Sequence, residues 1–282
     1  MEYLMTYGWA ILIISIVLAA LFQLGVFNPM AFAAKAQPGS CQVYRPNSPC
    51  TPYLINLEGL CNGEIPQYVA SFNGVSSIQA NIAGMPSGSQ PRTITAWYYA
   101  TQTSSQVNVF SYGTPNCGPP RQLFELYIIA GSGGEQPVMN AWCTDEASGV
   151  GISGAWVFAA YEYNGTYQIL YEGANSTLYG PATSQQSYGT TPASPFYIGA
   201  GPGRNPFIGY IANIQIYNTS LSANEIRALY QEGIGGAPIN LQNLVAWYPL
   251  NGNANDYSGN GNNGQMSNVD FVSNWYSGYT PP

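Results

Sequence analysis

Residues 207–226 read FIGYIANIQIYNTSLSANEI, and this stretch decides the fold class. Its first half, residues 207–217, is rich in Ile, Phe and Tyr and predicts a β-strand. In its second half Ser222 and Glu225 have the Ser-x-x-Glu spacing of a helix capping box. Apolar residues then recur at helical spacing up to Tyr230. A long strand therefore leads into one short helix.

Strand signals recur on both sides of this stretch at short intervals. Asn164-Gly165 is a strong hairpin-turn signal between two of them. No helix alternates with the strands, so a parallel α/β sheet is not expected and an antiparallel sandwich is predicted. The predicted strands are residues 93–99, 106–112, 122–130, 155–163, 166–171, 196–200, 207–217 and 244–250.

Several of these segments resemble the concanavalin A-like jelly roll in its laminin-G-like branch. Residues 207–226 carry the resemblance, and residues 70–74 (ASFNG) and 94–97 (ITAW) look like early strands of that fold. The resemblance covers residues 55–275 and implies an all-β jelly-roll head. Sugar binding is the common task of this fold, but a fold alone does not determine function.

Residues 244–256 (LVAWYPLNGNAND) resemble the first strand of such a domain, although they follow the helix. Three arrangements explain this order: a circularly permuted domain that completes its own sheet, the start of a second domain copy, or a strand that completes a neighbour's sheet. The remaining chain is too short for a second sandwich. We favour the intramolecular permutation.

Residues 8–27 form an uncharged apolar run. As a helix it would rise ~30 Å, enough to span a bilayer core. The expected architecture is therefore an N-terminal hydrophobic α-helix (1–27), a linker rich in Pro, Ala and Ser (28–54), and the jelly-roll sandwich with its one short helix (55–282).

Residues 1–14 (MEYLMTYGWAILII) resemble the N-terminus of archaeal type IV pilin-like proteins. In that family a prepilin peptidase removes a leader, and the apolar helix packs into the core of a helical filament. The family's glutamate, which meets the N-terminal amine of a neighbouring subunit, corresponds to Glu2. The resemblance implies a homo-oligomer built by the pilus assembly machinery, with assembly residues Glu2, Tyr3, Tyr7, Trp9 and Ile14.

Composition excludes several function classes. The net charge is −7, with one lysine and five arginines, so no basic surface exists to bind nucleic acid. Histidine is absent, which excludes a Ser-His-Asp triad. The sequence also lacks the paired acidic motif of a jelly-roll glucanase. We expect no enzyme activity.

Cysteines and sequons point to the outside of the cell. An odd number of cysteines cannot pair fully within one chain, and we expect Cys117 with Cys143, then two of Cys41, Cys50 and Cys61. Candidate glycosylation sites are Asn164, Asn175 and Asn218.

Residues 251–264 form an Asn- and Gly-rich loop with oxygen ligands that a calcium ion could use. Asp256 and Asn260 are the candidate metal ligands. The alternative is a cluster of turn residues that tolerate positive φ. No other cofactor is expected.

These features together predict a structural subunit of an extracellular type IV pilus-like filament, membrane-inserted before assembly, whose exposed head is adhesive. The alternative is a membrane-anchored, lectin-like surface protein that binds glycans by itself.

Overall fold

The computed structural model describes residues 65–282, apart from 103–105, 132, 144, 148 and 192–194. It also gives Ile13, Ser15 and the backbone of strands Ala36–Arg45, Tyr53–Gly59 and Asp145–Ala147. The chain divides into two compact units: Met1–Cys41 with Asn56–Cys61, and Gln42–Ile55 with Asn62–Pro282.

Strands dominate the described part of the chain. In chain order they are β1 (Ala36–Arg45), β2 (Tyr53–Gly59), β3 (Val69–Asn73), β4 (Ser77–Ala80), β5 (Arg92–Ala100), β6 (Val107–Gly113), β7 (Leu123–Gly131), β8 (Gly134–Asn140), β9 (Asp145–Ala147), β10 (Val157–Tyr163), β11 (Tyr167–Ala174), β12 (Thr177–Gln185), β13 (Phe196–Ile198), β14 (Ile208–Tyr217), β15 (Leu244–Tyr248), β16 (Gln265–Ser267) and β17 (Asp270–Val272). β1 and β2 form a two-stranded sheet, so the segment expected as a linker (28–54) contains a strand.

Two larger sheets form the sandwich. The eight-stranded sheet has the order β12-β11-β10-β5-β14-β3-β17, with β15 also paired to β14. The seven-stranded sheet has the order β16-β4-β13-β6-β7-β8-β9. Strands β3 to β17 pair antiparallel, and the apolar residues between the two sheets, such as Phe72, Phe110 and Ile214, are buried. The predicted antiparallel all-β sandwich is confirmed.

A second core covers the outer face of the eight-stranded sheet. Helix α1 (Ala223–Glu232) begins at the predicted capping box of Ser222 and Glu225. It buries Tyr230, which stacks on Trp97 with ring centroids 5.9 Å apart. Trp275 and Tyr279 from the end of the chain join the same cluster. Both faces of the central strands β5, β10 and β14 are thus covered.

The C-terminal segment completes the same sandwich. β15 pairs with β14, β16 pairs with β4, and β17 pairs with β3, all antiparallel. Residues 244–272 therefore contribute strands to both sheets of their own chain. This is the intramolecular arrangement favoured from the sequence.

The predicted fold class needs one correction. The sequence led us to place an N-terminal apolar helix of residues 1–27 before the sandwich. No helix in the described part of the chain is long and apolar enough to cross a membrane. Except for Ile13 and Ser15, residues 1–27 lie outside the described residues. Hydropathy measures transfer into lipid and does not by itself set the length of a helix. The fold class is an all-β sandwich of two sheets with one short helix.

Candidate functional site

A cavity of about 210 Å³ opens beside β15 on the side of the eight-stranded sheet that carries the outer core. We call it the aromatic pocket. It is smaller than the roughly 300–1,000 Å³ typical of pockets for drug-sized ligands, so it suits a small chemical unit. Its walls are Pro66, Asn213, Ile234, Gly235, Trp247, Pro249, Asn251 and Tyr257.

Two aromatic side chains form walls of this pocket that meet edge to face. Trp247 is half-buried on β15, and Tyr257 is 54% exposed on the following loop. Their ring centroids are 6.1 Å apart and their planes meet at 67°. The amide of Tyr257 donates to the carbonyl oxygen of Trp247 at 2.8 Å, which ties the two walls together.

A bulge in β14 holds the indole of Trp247. Asn213 lies there at φ 49°, where the pairing of β14 with β5 shifts register. Asparagine adopts this left-handed conformation more readily than most residues. Its Oδ1 accepts a hydrogen bond from the Trp247 Nε1 at 2.8 Å, and its Nδ2 donates to the Gly236 carbonyl oxygen at 2.8 Å. The indole is therefore held in one orientation without a ligand.

Asp256 organises the loop that carries Tyr257. Its carboxylate accepts hydrogen bonds from the amides of Trp247 (3.0 Å), Ser258 (2.9 Å) and Asn262 (2.9 Å), and from the Ser258 hydroxyl (2.9 Å). Burial opposes ionisation, but these hydrogen bonds outweigh it and lower the pKa of Asp256 below its ordinary value. The charged carboxylate thus stabilises the conformation of the loop through these four hydrogen bonds.

The predicted calcium ligands fit this loop poorly. The Asp256 oxygens already accept four hydrogen bonds, and Asn260 Nδ2 donates to the carbonyl oxygens of Leu244 and Val245, both at 3.0 Å. In the described residues no group of three or more His, Cys, Asp or Glu side chains could hold a metal ion. Calcium needs several oxygens with available lone pairs. The hydrogen bonds to Asp256 therefore compete with a calcium ion, and calcium binding at this loop stays a prediction from the sequence.

None of the described residues that line the aromatic pocket is charged. Elsewhere, Arg204 is committed to the protein: its Nε donates to Glu125 Oε1 at 3.0 Å, and its guanidinium lies 4.1 Å from the Tyr127 ring centroid. Glu125 is fully buried and also accepts from Asn108 and Asn140, both at 2.6 Å. This ion pair fastens the loop before β14 to the seven-stranded sheet.

Two buried glutamates have unusual pKa values but lie outside the pocket. Burial raises the pKa of Glu162 to about 7, although the Ser220 hydroxyl donates to it at 2.7 Å. Burial also raises the pKa of Glu172 to about 7, against a hydrogen bond from the Val150 amide at 2.8 Å. Each has one buried oxygen without a hydrogen-bond partner among the described residues. Such groups are functional candidates only when they line a cleft, and neither lines the pocket.

The other predicted site residues have mixed outcomes. A disulfide joins Cys117 and Cys143, with Cα atoms 5.4 Å apart. Asn164, Asn175 and Asn218 are all exposed. The side chains of Cys41, Cys50 and Cys61, and the assembly residues Glu2, Tyr3, Tyr7, Trp9 and Ile14, lie outside the described residues.

A family model for laminin-G-type domains, described as the concanavalin A-like lectin/glucanases superfamily, matches residues 72–227, more than half of the chain. The chain belongs to this superfamily. The match ends before β15, the strand that carries Trp247. The family model therefore does not include this part of the concanavalin A-like protein. A comparison with curated proteins finds no match.

Solved structures agree with the concanavalin A-like fold. A protein from Bacteroides ovatus assigned as carbohydrate-binding matches with a TM-score of 0.57 and 14% identity, over 80% of this chain and 64% of that chain. Domain 4 of an extracellular arabinanase from Geobacillus stearothermophilus, solved with arabinotriose, matches with a TM-score of 0.40 and 15% identity, over 67% of this chain and 80% of that chain. The first likeness supports the fold alone, and the second is too weak to carry an argument.

Sequence reasoning did not identify the aromatic pocket. The strand around Trp247 and the loop after it were both recognised, but the loop was considered only as a calcium site or a cluster of turn residues. One signal in the sequence could have indicated the pocket. Trp247 lies in a predicted strand directly before an Asn/Gly-rich loop, and that loop contains a second aromatic residue, Tyr257. The contact between Trp247 and Asn213 joins residues 34 positions apart and depends on the β14 bulge, which the sequence did not predict.

Proposed function

We propose that the sandwich is a glycan-binding domain and that the aromatic pocket holds one neutral sugar unit. The observation that carries the proposal is the edge-to-face pair of Trp247 and Tyr257 in a cavity whose described lining residues are uncharged and include two carboxamides. Aromatic rings with a few placed polar groups are the usual composition of small-ligand sites. The concanavalin A-like fold and the Bacteroides ovatus protein point to the same ligand class.

The chemistry of the pocket matches a sugar ring. The apolar C–H face of a pyranose or furanose would pack on the indole of Trp247, which is flat and fixed in orientation. Asn251 accepts a hydrogen bond from the Tyr68 amide through Oδ1 at 2.8 Å, so its Nδ2 can donate to a sugar hydroxyl. The Tyr257 hydroxyl accepts from Asn253 at 3.1 Å and can donate its own proton to the sugar.

The charges of the pocket and of the whole chain favour the binding of neutral sugars over acidic ones. An acidic sugar is normally held by a cation, most often an arginine in bidentate contact, and none lines the pocket. The net charge of −7 would also repel an anionic glycan at low salt. We therefore expect a neutral glycan, bound weakly by each copy because the contact area is small.

The same proposal covers the cellular setting. We propose a binding protein without catalytic activity that works outside the cell, where a disulfide such as Cys117–Cys143 persists. Assembly into a pilus-like filament stays a prediction from the sequence resemblance, because the residues it depends on lie outside the described part of the chain. The glycan-binding alternative has the stronger support, so we do not adopt the filament subunit as the function.

A glycan array followed by calorimetry tests the proposal. The full chain should bind neutral glycans, and Trp247→Ala should raise the Kd of the best ligand at least about tenfold, as loss of a buried aromatic anchor does. Tyr257→Ala should weaken binding less, since this ring is more exposed. Trp247→Phe keeps an aromatic face and should have an intermediate Kd.

The matched control is Tyr179→Ala, which removes a tyrosine that is 38% exposed on β12, away from the pocket. It should leave the Kd unchanged. Binding restricted to acidic glycans, or equal Kd values for Trp247→Ala and the control, would overturn the proposal.

A further inference from the structure

A second cavity, of about 220 Å³, lies at the β4–β16 edge of the seven-stranded sheet. We call it the amide cavity. Four of its six lining residues carry carboxamides and none is charged. The lining residues are Gln79, Asn81, Pro195, Gly261, Asn263 and Gln265. It shares no residue with the aromatic pocket.

Strand register brings these side chains to the outer face of the sheet. Gln79 lies between the core residues Ile78 and Ala80, so it points away from the core. It is directly opposite Gln265 on β16 and Tyr197 on β13. Residues directly opposite each other share a face, so Gln79 lies between Gln265 and the half-buried Tyr197.

The hydrogen-bonding groups of the amide cavity are available. In the described part of the chain, the side chains of Gln79, Asn81 and Gln265 make no hydrogen bond to protein, and all three are exposed. Asn263 uses only Oδ1, which accepts from the Asp256 amide at 2.8 Å. Each carboxamide offers two donors and one acceptor. This mixture complements sugar hydroxyls, which both donate and accept.

Gly261 lines the amide cavity in a backbone conformation that favours glycine. Its φ is 74°, and a Cβ atom built there would meet no atom within 4 Å. A side chain at this position would therefore extend into open space instead of packing against the protein, and the left-handed backbone favours glycine. An open, uncharged wall of amides beside one tyrosine can accept a neutral ligand from solvent.

One loop shapes both cavities. The Asp256 carboxylate accepts from the amide of Trp247, which lines the aromatic pocket, while the Asp256 amide donates to Asn263, which lines the amide cavity. Asn262 is fixed by the same carboxylate at 2.9 Å. The two cavities therefore lie on either side of a single hydrogen-bonded loop.

We propose that the amide cavity is a second binding subsite for a neutral, hydroxyl-rich sugar unit. It recognises hydroxyl groups through Gln79, Asn81 and Gln265, with Tyr197 as the adjoining apolar surface. The inference extends the glycan binding proposed above, but its residues are separate. Each of the two proposals can therefore fail while the other stands.

The test is a nuclear magnetic resonance titration of the full chain with methyl glycosides of glucose, galactose and arabinose at millimolar concentration. These probes are single sugar units, so each occupies one cavity. The side-chain amide resonances of Gln79 and Gln265 report the amide cavity, and the indole N–H of Trp247 reports the aromatic pocket. We expect at least one probe to shift both sets, with separate Kd values.

Three variants separate the outcomes. The double variant Gln79→Ala with Gln265→Ala should leave the Trp247 shifts unchanged and raise the Kd of the amide cavity at least tenfold, measured on Asn81 and Asn263. Trp247→Ala should leave the Gln79 and Gln265 shifts unchanged. Gln185→Ala, an exposed glutamine on β12, is the matched control and should change neither.

Shifts confined to Trp247 and its neighbours would overturn the second subsite and leave the proposed function standing. Shifts confined to the amide cavity would support this subsite and overturn the role of the aromatic pocket. No shift with any probe in the wild-type chain would overturn both.

Discussion

At the scale of single residues, Asp256 connects the loop after β15 to the surfaces that we assign to glycan binding. Four donors converge on its carboxylate, and one of them is the amide of Trp247. The negative charge of Asp256 therefore acts indirectly, through hydrogen bonds that fix the backbone at Trp247 and in the following loop. Asp256 is a positioning residue, while Trp247 and Tyr257 would touch the sugar.

Replacement of Asp256 by Asn should destabilise the chain at neutral pH. An amide nitrogen cannot accept the hydrogen bonds that one carboxylate oxygen accepts, and hydrogen bonds to a charged group contribute about 1.5–3 kcal/mol. We expect a lower Tm by calorimetry and weaker glycan binding. Asp270→Asn, at an exposed aspartate, is the control.

The effect of Asp256→Asn should depend on pH in a known direction. The folded-state pKa of Asp256 is lowered, so its stabilisation is present above the unfolded pKa and is lost as pH falls through the folded pKa. The Tm difference from wild type should therefore shrink in acid. Equal Tm values at neutral pH, or a rise in wild-type Tm with calcium that the variant lacks, would contradict this account of the loop.

At the scale of elements, the sandwich depends on three strands that follow the region matched by the family model. β15 covers part of β14, β16 lies at the edge next to β4, and β17 lies at the edge next to β3. The segment after β17 then places Trp275 and Tyr279 in the outer core under α1. These elements contribute to both cores as well as to the aromatic pocket.

A chain that ends at Asn243 should fail to fold. It would expose the strand edges that β15, β16 and β17 now pair with, and it would remove Trp275, whose indole donates to the Pro66 carbonyl oxygen at 3.0 Å. We expect no cooperative thermal transition by circular dichroism and poor solubility. A chain that lacks only Pro282 is the control. A soluble truncated chain with a Tm near that of the control would refute this role of the C-terminal strands.

The elements were largely predictable from the sequence because their signals are local. The capping box at Ser222 and the apolar and aromatic runs of β5, β10 and β14 are read from neighbouring residues, and the helix and these three strands appear in the structure. The aromatic pocket was not predictable in the same way. It needs the register shift at Asn213 and the return of β15 to β14, both of which are set by packing between distant segments.

At the scale of the whole molecule, the raised pKa values of two buried glutamates predict greater stability in mild acid. Below about pH 4.5, the ordinary glutamate pKa, Glu162 and Glu172 are protonated in both the folded and the unfolded chain. Between there and about 7 the folded state keeps protons that the unfolded state releases. Stability therefore falls as pH rises through this window.

The double variant Glu162→Gln with Glu172→Gln should flatten this pH dependence. By linkage, each glutamate accounts for a fall of at most about 3 kcal/mol in the free energy of unfolding across this window. We expect the wild-type Tm to fall between pH 5 and 8 by differential scanning calorimetry, and the variant to change less. Glu232→Gln, at a partly exposed glutamate on α1, is the control. A wild-type Tm that rises over this range would show that these carboxyls are ionised in the folded chain.

The most direct test of the central claim is a crystal structure of the full chain with its best neutral glycan from the array. We predict that one sugar ring packs its C–H face on the Trp247 indole, with hydroxyls that accept from Asn251 Nδ2 and the Tyr257 hydroxyl. A glycan bound only at a surface away from Trp247 and Tyr257, or an aromatic pocket that stays empty at saturating ligand, would contradict the account.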